Sequence, residues 1–161
     1  MTNQTNHINN TNHINHINKT AIITGASRGI GAAIAKKLAS CGYNLSLCCR
    51  NSSDRLKALA DELHCAYGIE VLCYTGNVGD FFFAKDMVTN TISHFGHIDV
   101  LINNAGISHI GLLSDMTPEE WNNIVSINLT GVFNFTKLVI PYMVWPYTPD
   151  FLCLGQCRSL L

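Results

Sequence analysis

Three glycines, Gly25, Gly29 and Gly31, separate a β-branched run at residues 21–24 from residues 30–38, where an apolar side chain recurs at every fourth position. These patterns are typical of a strand and a helix joined by a tight turn. Glycine lets the backbone turn sharply and approach a ligand, and a helix start offers unpaired N–H groups and a positive dipole end. The stretch therefore predicts a cradle for a pyrophosphate. A glycine-rich turn without a ligand is the alternative.

The end of the second predicted strand, residues 44–49, suggests which nucleotide would bind. A site selective for NAD(H) carries a carboxylate there to bond the ribose 2′-hydroxyl, but this chain has Arg50 followed by Asn51. A cation suits a 2′-phosphate instead, and Arg28 in the glycine turn is placed to approach the same group. The sequence thus predicts NADP(H) in preference to NAD(H). The alternative is that Arg50 is a solvated surface charge.

Polar residues also follow the third and fourth predicted strands. Asn77-Val78 comes after residues 70–74, and Asn103-Asn104-Ala105-Gly106 comes directly after residues 99–102. The carboxyl ends of parallel strands meet at one edge of a sheet, which is where such sheets bind ligands. We therefore expect both segments to lie beside the glycine turn.

Helices with recognisable ends connect these strands. Their predicted starts and stops are Ser53 and Gly68, Asp80 and Gly96, and Thr117 and Pro141. Parallel strands need crossover helices of this length. The predicted fold class is α/β, a doubly wound parallel sheet (Rossmann fold) that is truncated after the long helix following strand 4. Such a truncation would leave the fourth strand as an exposed edge, and we expect poor solubility.

The motifs resemble those of the short-chain dehydrogenase/reductase family. Its pattern T-G-x-x-x-G-x-G is matched at Thr24, Gly25, Gly29 and Gly31, and its pattern N-N-A-G is matched at residues 103–106. The sequence of the glycine turn is most similar to that of the 3-oxoacyl-acyl-carrier-protein reductases. The resemblance implies hydride transfer between NADP(H) and a carbonyl or alcohol. The implied substrate is a small-molecule carbonyl or acyl thioester. The resemblance also implies a homo-oligomer built partly on the long helix.

The pattern and the resemblance together give a set of expected site residues. Asn128 falls on the family's catalytic asparagine, which kinks the long helix and holds a water of the proton relay. Asn77 departs from the family's usual Asp, which touches the adenine ring. The expected cofactor-binding residues are Thr24, Gly25, Ser27, Arg28, Gly29, Ile30, Gly31, Arg50, Asn77, Val78, Asn104, Ala105 and Gly106.

The family's remaining catalytic groups are missing from these 161 residues. Its serine and its Tyr-x-x-x-Lys have no counterpart, because Lys137 is the last lysine and precedes both Tyr142 and Tyr147. The alternative to an oxidoreductase is therefore a catalytically inactive, truncated remnant that at most binds the nucleotide. We hypothesise a frame shift near Val144, which would make residues 144–161 a tail foreign to the family.

Composition limits the remaining possibilities. The chain is 47% hydrophobic and 13% charged with a net charge of −1, which favours one folded domain over residues 19–143 and gives no reason to expect nucleic acid or a membrane as partner. Residues 1–18 repeat Asn-His-Ile and predict a disordered tail, with metal binding by its histidines as the alternative. We expect no membrane-spanning run, no signal peptide and a cytoplasmic location.

Seven cysteines occur without Cys-x-x-Cys spacing. Cys48 and Cys49 are adjacent in a predicted strand, where their side chains face opposite ways. Free thiols are therefore expected, with a metal site or a disulfide as the alternative.

Overall fold

The computed structural model describes residues 19–143 and the backbone of residues 150–152. The tail predicted at residues 1–18 and most of the tail predicted at residues 144–161 lie outside this part. Within the described residues, five parallel strands form one sheet in the order β3-β2-β1-β4-β5. The strands are β1 Thr20–Thr24, β2 Asn44–Cys49, β3 Val71–Thr75, β4 Val100–Ile102 and β5 Asp150–Leu152.

Helices connect the first four strands and follow the fourth. They are α1 Gly29–Ser40, α2 Ser53–Tyr67, α3 Phe81–Phe95, α4 Pro118–Val125 and α5 Gly131–Val139. A π-helical segment, Ser126–Thr130, joins α4 to α5, and a 3₁₀ turn, Ile140–Tyr142, follows α5, so residues 118–142 form one long helix. A second 3₁₀ turn covers Leu113–Asp115. The doubly wound parallel sheet predicted from the sequence is confirmed.

The predicted helix ends are confirmed by their hydrogen bonds and backbone angles. The Phe82 N–H donates to the Asp80 carboxylate at 2.8 Å, which caps α3. Thr117 and Glu120 bond reciprocally at the start of α4, and the N–H of Thr117 lowers the pKa of the Glu120 carboxyl. Gly68 and Gly96 end α2 and α3 with φ of +66° and +82°, which glycine adopts without strain.

Apolar side chains cover both faces of the sheet. Leu45 and Leu47 pack on one face under α1 and α2, while Ile22 and Leu101 pack on the other face under α3 and the long helix. β1 is buried along its whole length and β2 from Leu45 to Cys49, because helices cover both faces of the sheet. The buried hydroxyl of Ser46 in β2 forms a hydrogen bond with that of Thr91 in α3 at 2.7 Å.

The large apolar residues of α1 do not form its buried face. Ile30 is 51% exposed, and Ile34 and Leu38 are half-buried. The buried residues are Gly31, Ala35 and Ala39. Small side chains let the helix backbone approach the sheet closely, so the large apolar residues lie at the edges of the contact. In α2, Leu56, Leu59, Ala60 and Leu63 are buried, whereas Tyr67, which follows them at helical spacing, is 47% exposed.

The expectation that β4 would be an exposed edge is wrong. The backbone of Asp150–Leu152 pairs in parallel with β4, residue for residue from Val100 to Ile102. Its backbone hydrogen-bonding groups therefore have a partner on each side, β1 and β5.

The long helix also corrects an expectation. Pro118–Tyr142 is long enough and apolar enough to cross a membrane, judged by length and composition only, whereas we expected no such segment from the sequence. Core helices of soluble proteins pass the same test, and Ile127, Phe135 and Val139 of this helix are buried against the sheet and α3. Several of its other apolar side chains are exposed: Trp121, Leu129, Phe133 and Ile140.

Truncating Phe135 should destabilise the fold far more than truncating Phe133. Phe135 is fully buried and Phe133 is 56% exposed on the same helix. We expect Phe135→Ala to lower the free energy of unfolding by about 3–5 kcal/mol, measured by urea denaturation. Phe133→Ala is the matched control and should cost under about 1 kcal/mol. Equal losses for the two variants would show that the long helix does not pack on the sheet through Phe135.

Candidate functional site

The turn between β1 and α1 has a backbone that requires glycine at two positions. Gly25 and Gly29 have φ of +67° and +57°. A Cβ on Gly25 would lie 2.8 Å from the Cα of Ala105, so a side chain there would force the turn away from the segment after β4. The chain passes from β1 through this turn directly into the first turn of α1, as the sequence predicted.

Thr24 and Asn104 join the end of β1 to the end of β4. The Thr24 hydroxyl accepts hydrogen bonds from the backbone N–H groups of Asn104 and Ala105, both at 3.0 Å. In return, the Asn104 amide donates to the carbonyl oxygens of Thr24 and Gly25 at 3.0 and 3.1 Å. These bonds are buried or partly buried, so they fix the position of the glycine turn at the edge of the sheet.

Gly31 completes this arrangement from within α1. A Cβ at this position would overlap the carbonyl oxygen of Gly25 and the amide nitrogen of Asn104. Its role in the structure is close packing of the helix start against the turn. Gly31 and Thr24, both expected to bind cofactor, do not line the cleft described next but support residues that do.

A cleft of about 440 Å³ lies at the carboxyl ends of β1 to β4. This is the edge where parallel sheets bind ligands, and in the order β3-β2-β1-β4 the point where the strand order reverses lies between β1 and β4. The expected cofactor-binding residues other than Thr24 and Gly31 all line it: Gly25, Ser27, Arg28, Gly29, Ile30, Arg50, Asn77, Val78, Asn104, Ala105 and Gly106.

The cleft also contains residues that the sequence reasoning missed. Asn51 and Ser52 follow Arg50 directly, so their position after a strand end was the available signal. Ile127 comes from the long helix, and nothing in its local sequence marks it. The missed lining residues are Cys48, Cys49, Asn51, Ser52, Gly76, Ile107 and Ile127.

The charges on the described lining residues are all positive. Arg28 and Arg50 line the cleft, and no carboxylate of the residues that the structure describes does. Two helices also begin at the cleft, α1 after Arg28 and α2 after Ser52, and neither of these N-cap side chains bonds its own helix. Unpaired N–H groups, dipole ends and guanidinium groups favour an anion, and phosphate in particular.

Cys48, in the wall of the cleft, has an unreactive thiol. Burial raises the pKa of Cys48 to about 12, so the group is neutral at physiological pH. Burial likewise raises the pKa of Cys73 to about 11. Each described cysteine is a free thiol, and among the described residues no group of three His, Cys, Asp or Glu side chains could hold a metal ion. Cys153, Cys157 and the histidines of residues 1–18 lie outside the described residues.

Asn128 lies in the π-helical segment and bonds the loop after β4. Its amide oxygen accepts from the N–H of Ile107 at 2.9 Å, and its amide nitrogen donates to the carbonyl oxygen of the same residue at 2.8 Å. π-helical turns inside α-helices occur frequently at functional sites. Asn128 does not itself line the cleft, but Ile107 does.

A second asparagine of the long helix, Asn134, holds the loop after β3. It is buried, and its amide donates to the carbonyl oxygens of Val78 and Gly79, both at 3.2 Å. A Cβ on Gly131 would lie 2.8 Å from Val78, so this contact also depends on a glycine. The sequence reasoning missed Asn134, since an asparagine inside an apolar helix carries no local signal for a loop contact.

Comparison with known proteins places these features in a family. The model of the family described as short chain dehydrogenase matches residues 19–148. A 3-oxoacyl-(acyl-carrier-protein) reductase FabG of Staphylococcus epidermidis is 42% identical over 126 residues, which are 78% of this chain and 51% of the relative. The chain thus spans about half the length of the curated relatives it matches.

Solved structures show the same similarity. A short chain dehydrogenase from Burkholderia cenocepacia in complex with NADP has a TM-score of 0.75 at 30% identity, with 78% of this chain and 51% of that chain covered. An alcohol dehydrogenase from the archaeon Thermococcus sibiricus complexed with 5-hydroxy-NADP has a TM-score of 0.73 at 37% identity, covering 77% and 52%.

Replacing the Thr24 hydroxyl by a methyl group should destabilise the protein. Thr24→Val leaves the N–H groups of Asn104 and Ala105 without their acceptor, and we expect a loss of about 2–4 kcal/mol in the free energy of unfolding. Thr20→Val is the matched control on the same strand, because the buried Thr20 hydroxyl oxygen has no hydrogen-bond partner among the described residues. That variant should be neutral or slightly stabilising in urea denaturation. A neutral Thr24→Val would rule out the bonds to Asn104 and Ala105 as a significant source of stability.

Proposed function

We propose a function on the premise that the chain belongs to the short-chain dehydrogenase family. In this proposal, the cleft binds NADP(H) for hydride transfer between the nicotinamide and a carbonyl or alcohol. The single observation that carries this proposal is the pair of arginines, Arg28 and Arg50, in a cleft whose described lining has no carboxylate. A carboxylate after β2 would bond a ribose 2′-hydroxyl, whereas guanidinium groups pair with a 2′-phosphate.

The glycine turn fits the pyrophosphate of the same nucleotide. Gly25 and Gly29 keep the backbone free of side chains where it faces the cleft, and α1 begins there with its unpaired N–H groups. In this proposal Ser27, Ile30 and the segment Asn104–Gly106 line the nucleotide's path past β1 and β4, while Asn77 and Val78 line its base.

The nicotinamide of the bound cofactor would supply or accept the hydride. We propose Asn128 as a catalytic residue. Its two hydrogen bonds to the backbone of Ile107 fix the loop after β4 beside the cleft. The substrate we propose is a small-molecule carbonyl or acyl thioester, as for a 3-oxoacyl reductase, which is the name that the Staphylococcus relative carries.

A second candidate function is nucleotide binding without turnover. It is favoured by the position of Lys137, the last lysine of the 161 residues, which precedes Tyr142 and Tyr147. The tyrosine that exchanges a proton with the substrate oxygen and the lysine that lowers its pKa, which the resemblance implies, therefore have no counterpart among these 161 residues.

We further propose a cytoplasmic protein that forms a homo-oligomer through the long helix. Trp121, Leu129 and Phe133 expose apolar surface on this helix, and burying such surface against a second copy would be favourable. The net charge of −1 supports neither nucleic acid nor an anionic membrane as partner.

Removing the charge of Arg50 should reduce selectivity for the 2′-phosphate. We expect Arg50→Ala to weaken NADP⁺ binding about 10- to 100-fold, the effect of one lost charge-assisted hydrogen bond, and to leave the weaker NAD⁺ binding unchanged. Isothermal titration calorimetry measures both dissociation constants. Arg55→Ala is the matched control, because Arg55 is exposed on α2 and does not line the cleft. Equal losses for NADP⁺ and NAD⁺ would contradict the role proposed for Arg50.

Turnover distinguishes the two candidate functions. If the second candidate is correct, NADPH binds to the 161-residue chain and the absorbance of NADPH stays constant after addition of an acetoacetyl thioester. The absence of a proton-donating tyrosine beside its lysine is the physical reason. NADPH oxidation that the thioester starts and Asn128→Ala abolishes would instead establish the oxidoreductase activity in this chain.

A further inference from the structure

The segment between β4 and α4, residues 107–117, is almost entirely exposed. Within it only His109 and Met116 are partly covered. The apolar side chains of Ile110, Leu112 and Leu113 are 96%, 70% and 71% exposed. Because these side chains are not buried, apolar packing contributes little to holding the segment in place. The position of the segment therefore depends on its polar contacts.

Polar contacts join the start of this segment to the long helix. The backbone of Ile107 bonds the amide group of Asn128 in both directions. Two residues later, Nδ1 of His109 lies 3.6 Å from Oε1 of Glu120 in α4. The contact with Asn128 joins neutral groups, whereas the contact with Glu120 depends on the charge of the imidazole.

His109 has a defined position beside Glu120. Its side chain is 21% exposed. A Cβ on Gly111 would lie 2.6 Å from Nε2 of the imidazole, so the ring packs directly against this glycine. A separation of 3.6 Å from Glu120 is too long for a hydrogen bond, so a neutral imidazole gains little from the carboxylate. A protonated imidazole is attracted to the carboxylate at the same distance.

Glu120 keeps its negative charge while a histidine gains its proton. Its Oε2 accepts the N–H and the hydroxyl of Thr117 at 2.9 and 3.2 Å, and Oε1 remains for His109. The backbone and the hydroxyl of Thr117 lower the pKa of the Glu120 carboxyl, and His109 has a smaller effect in the same direction. A histidine ordinarily changes its charge between about pH 5 and 8. Glu120 is therefore ionised throughout that range.

The surrounding charges favour a cation at His109. The charged residues of the adjoining elements are Asp115 in the 3₁₀ turn and Glu119 and Glu120 in α4. No lysine or arginine occurs in residues 86–136 of the sequence. The other two histidines of that stretch lie beside different carboxylates. Within this stretch, His109 is therefore the residue that can place a positive charge beside Glu120.

We propose that His109 and Glu120 form a pH-dependent latch, which holds the segment on the long helix while His109 is protonated and lets residues 108–116 move away when it loses the proton. The latch weakens as the pH rises from about 5.5 to about 8, because only the protonated ring is attracted to the carboxylate. It also weakens below about pH 4, where Glu120 takes up a proton. Since Ile107 lines the cleft, the latch acts on a segment that begins in the wall of the cleft.

Hydrogen–deuterium exchange of the full chain, followed by mass spectrometry, tests the latch. At about pH 5.5 and about pH 8, on either side of the usual pKa of histidine, the exchange rates of residues 108–116 are divided by the intrinsic rates of an unstructured peptide to give protection factors. For the unmodified protein we expect about two- to fivefold greater protection at the lower pH, the effect of one exposed ion pair. His109→Gln and Glu120→Gln should each remove this difference. Glutamine also serves at this position of a capping box, so Glu120→Gln retains the helix start.

His94→Gln is the matched control. His94, near the end of α3, lies 2.7 Å from Glu70, so this variant removes another histidine–glutamate pair and should retain the full difference. Equal protection of the unmodified segment at the two pH values would overturn the proposal, and this measurement needs no variant. A difference that persists in His109→Gln, or one that disappears in His94→Gln, would also overturn it, because the pH would then act through another group. These outcomes do not involve nucleotide binding, so the latch and the proposed function are tested separately.

Discussion

The bonds between Thr24 and Asn104 are the constraint on which the cleft depends. They join the ends of two neighbouring strands, β1 and β4, whose bonded residues lie 80 positions apart in the chain. Each side chain bonds the backbone of the opposite segment, so neither segment can move without leaving buried polar groups unpaired. The absence of side chains at Gly25 and Gly31 lets the two backbones come close enough for these bonds. A polar contact and two glycines thus hold the helix start and the glycine turn in one fixed relation to the sheet.

The long helix acts as a second support, because two of its asparagines bond loops on different sides of the cleft. Asn128 bonds the loop after β4 through Ile107, and Asn134 bonds the loop after β3 through Val78 and Gly79. The π-helical segment Ser126–Thr130 includes the first asparagine and precedes the second. A π turn holds more residues than an α turn, so it changes the direction in which the following side chains project. The two asparagines therefore reach both loops from one continuous helix.

The sequence predicted most of the fold and much of the cleft because the decisive signals were local. Helix caps at Asp80 and Thr117, the β-branched run of β1 and the glycine turn each involve residues close together in the chain. Contacts between distant segments were not predictable in the same way. The sequence does not show that α1 packs through Ala35 and Ala39, because side-chain size decides closeness only once the sheet is in place. The bonds of Asn134 likewise depend on a loop 55 or 56 residues away.

The nucleotide binding and the hydride transfer that we propose depend on different groups. The cleft is formed by the loops after β1 to β4. Hydrogen bonds such as those from Asn104 to Thr24 and from Asn134 to Val78 hold these loops in place. The affinity that we propose for a phosphate-bearing nucleotide would follow from local features, namely Arg28, Arg50 and the starts of α1 and α2. Hydride transfer requires in addition a proton donor aligned with the substrate oxygen, which is a condition on groups outside this cradle. In this proposal the cleft can bind the nucleotide without a tyrosine that exchanges the proton, because the bonds that shape it are made by Thr24, Asn104, Asn128 and Asn134.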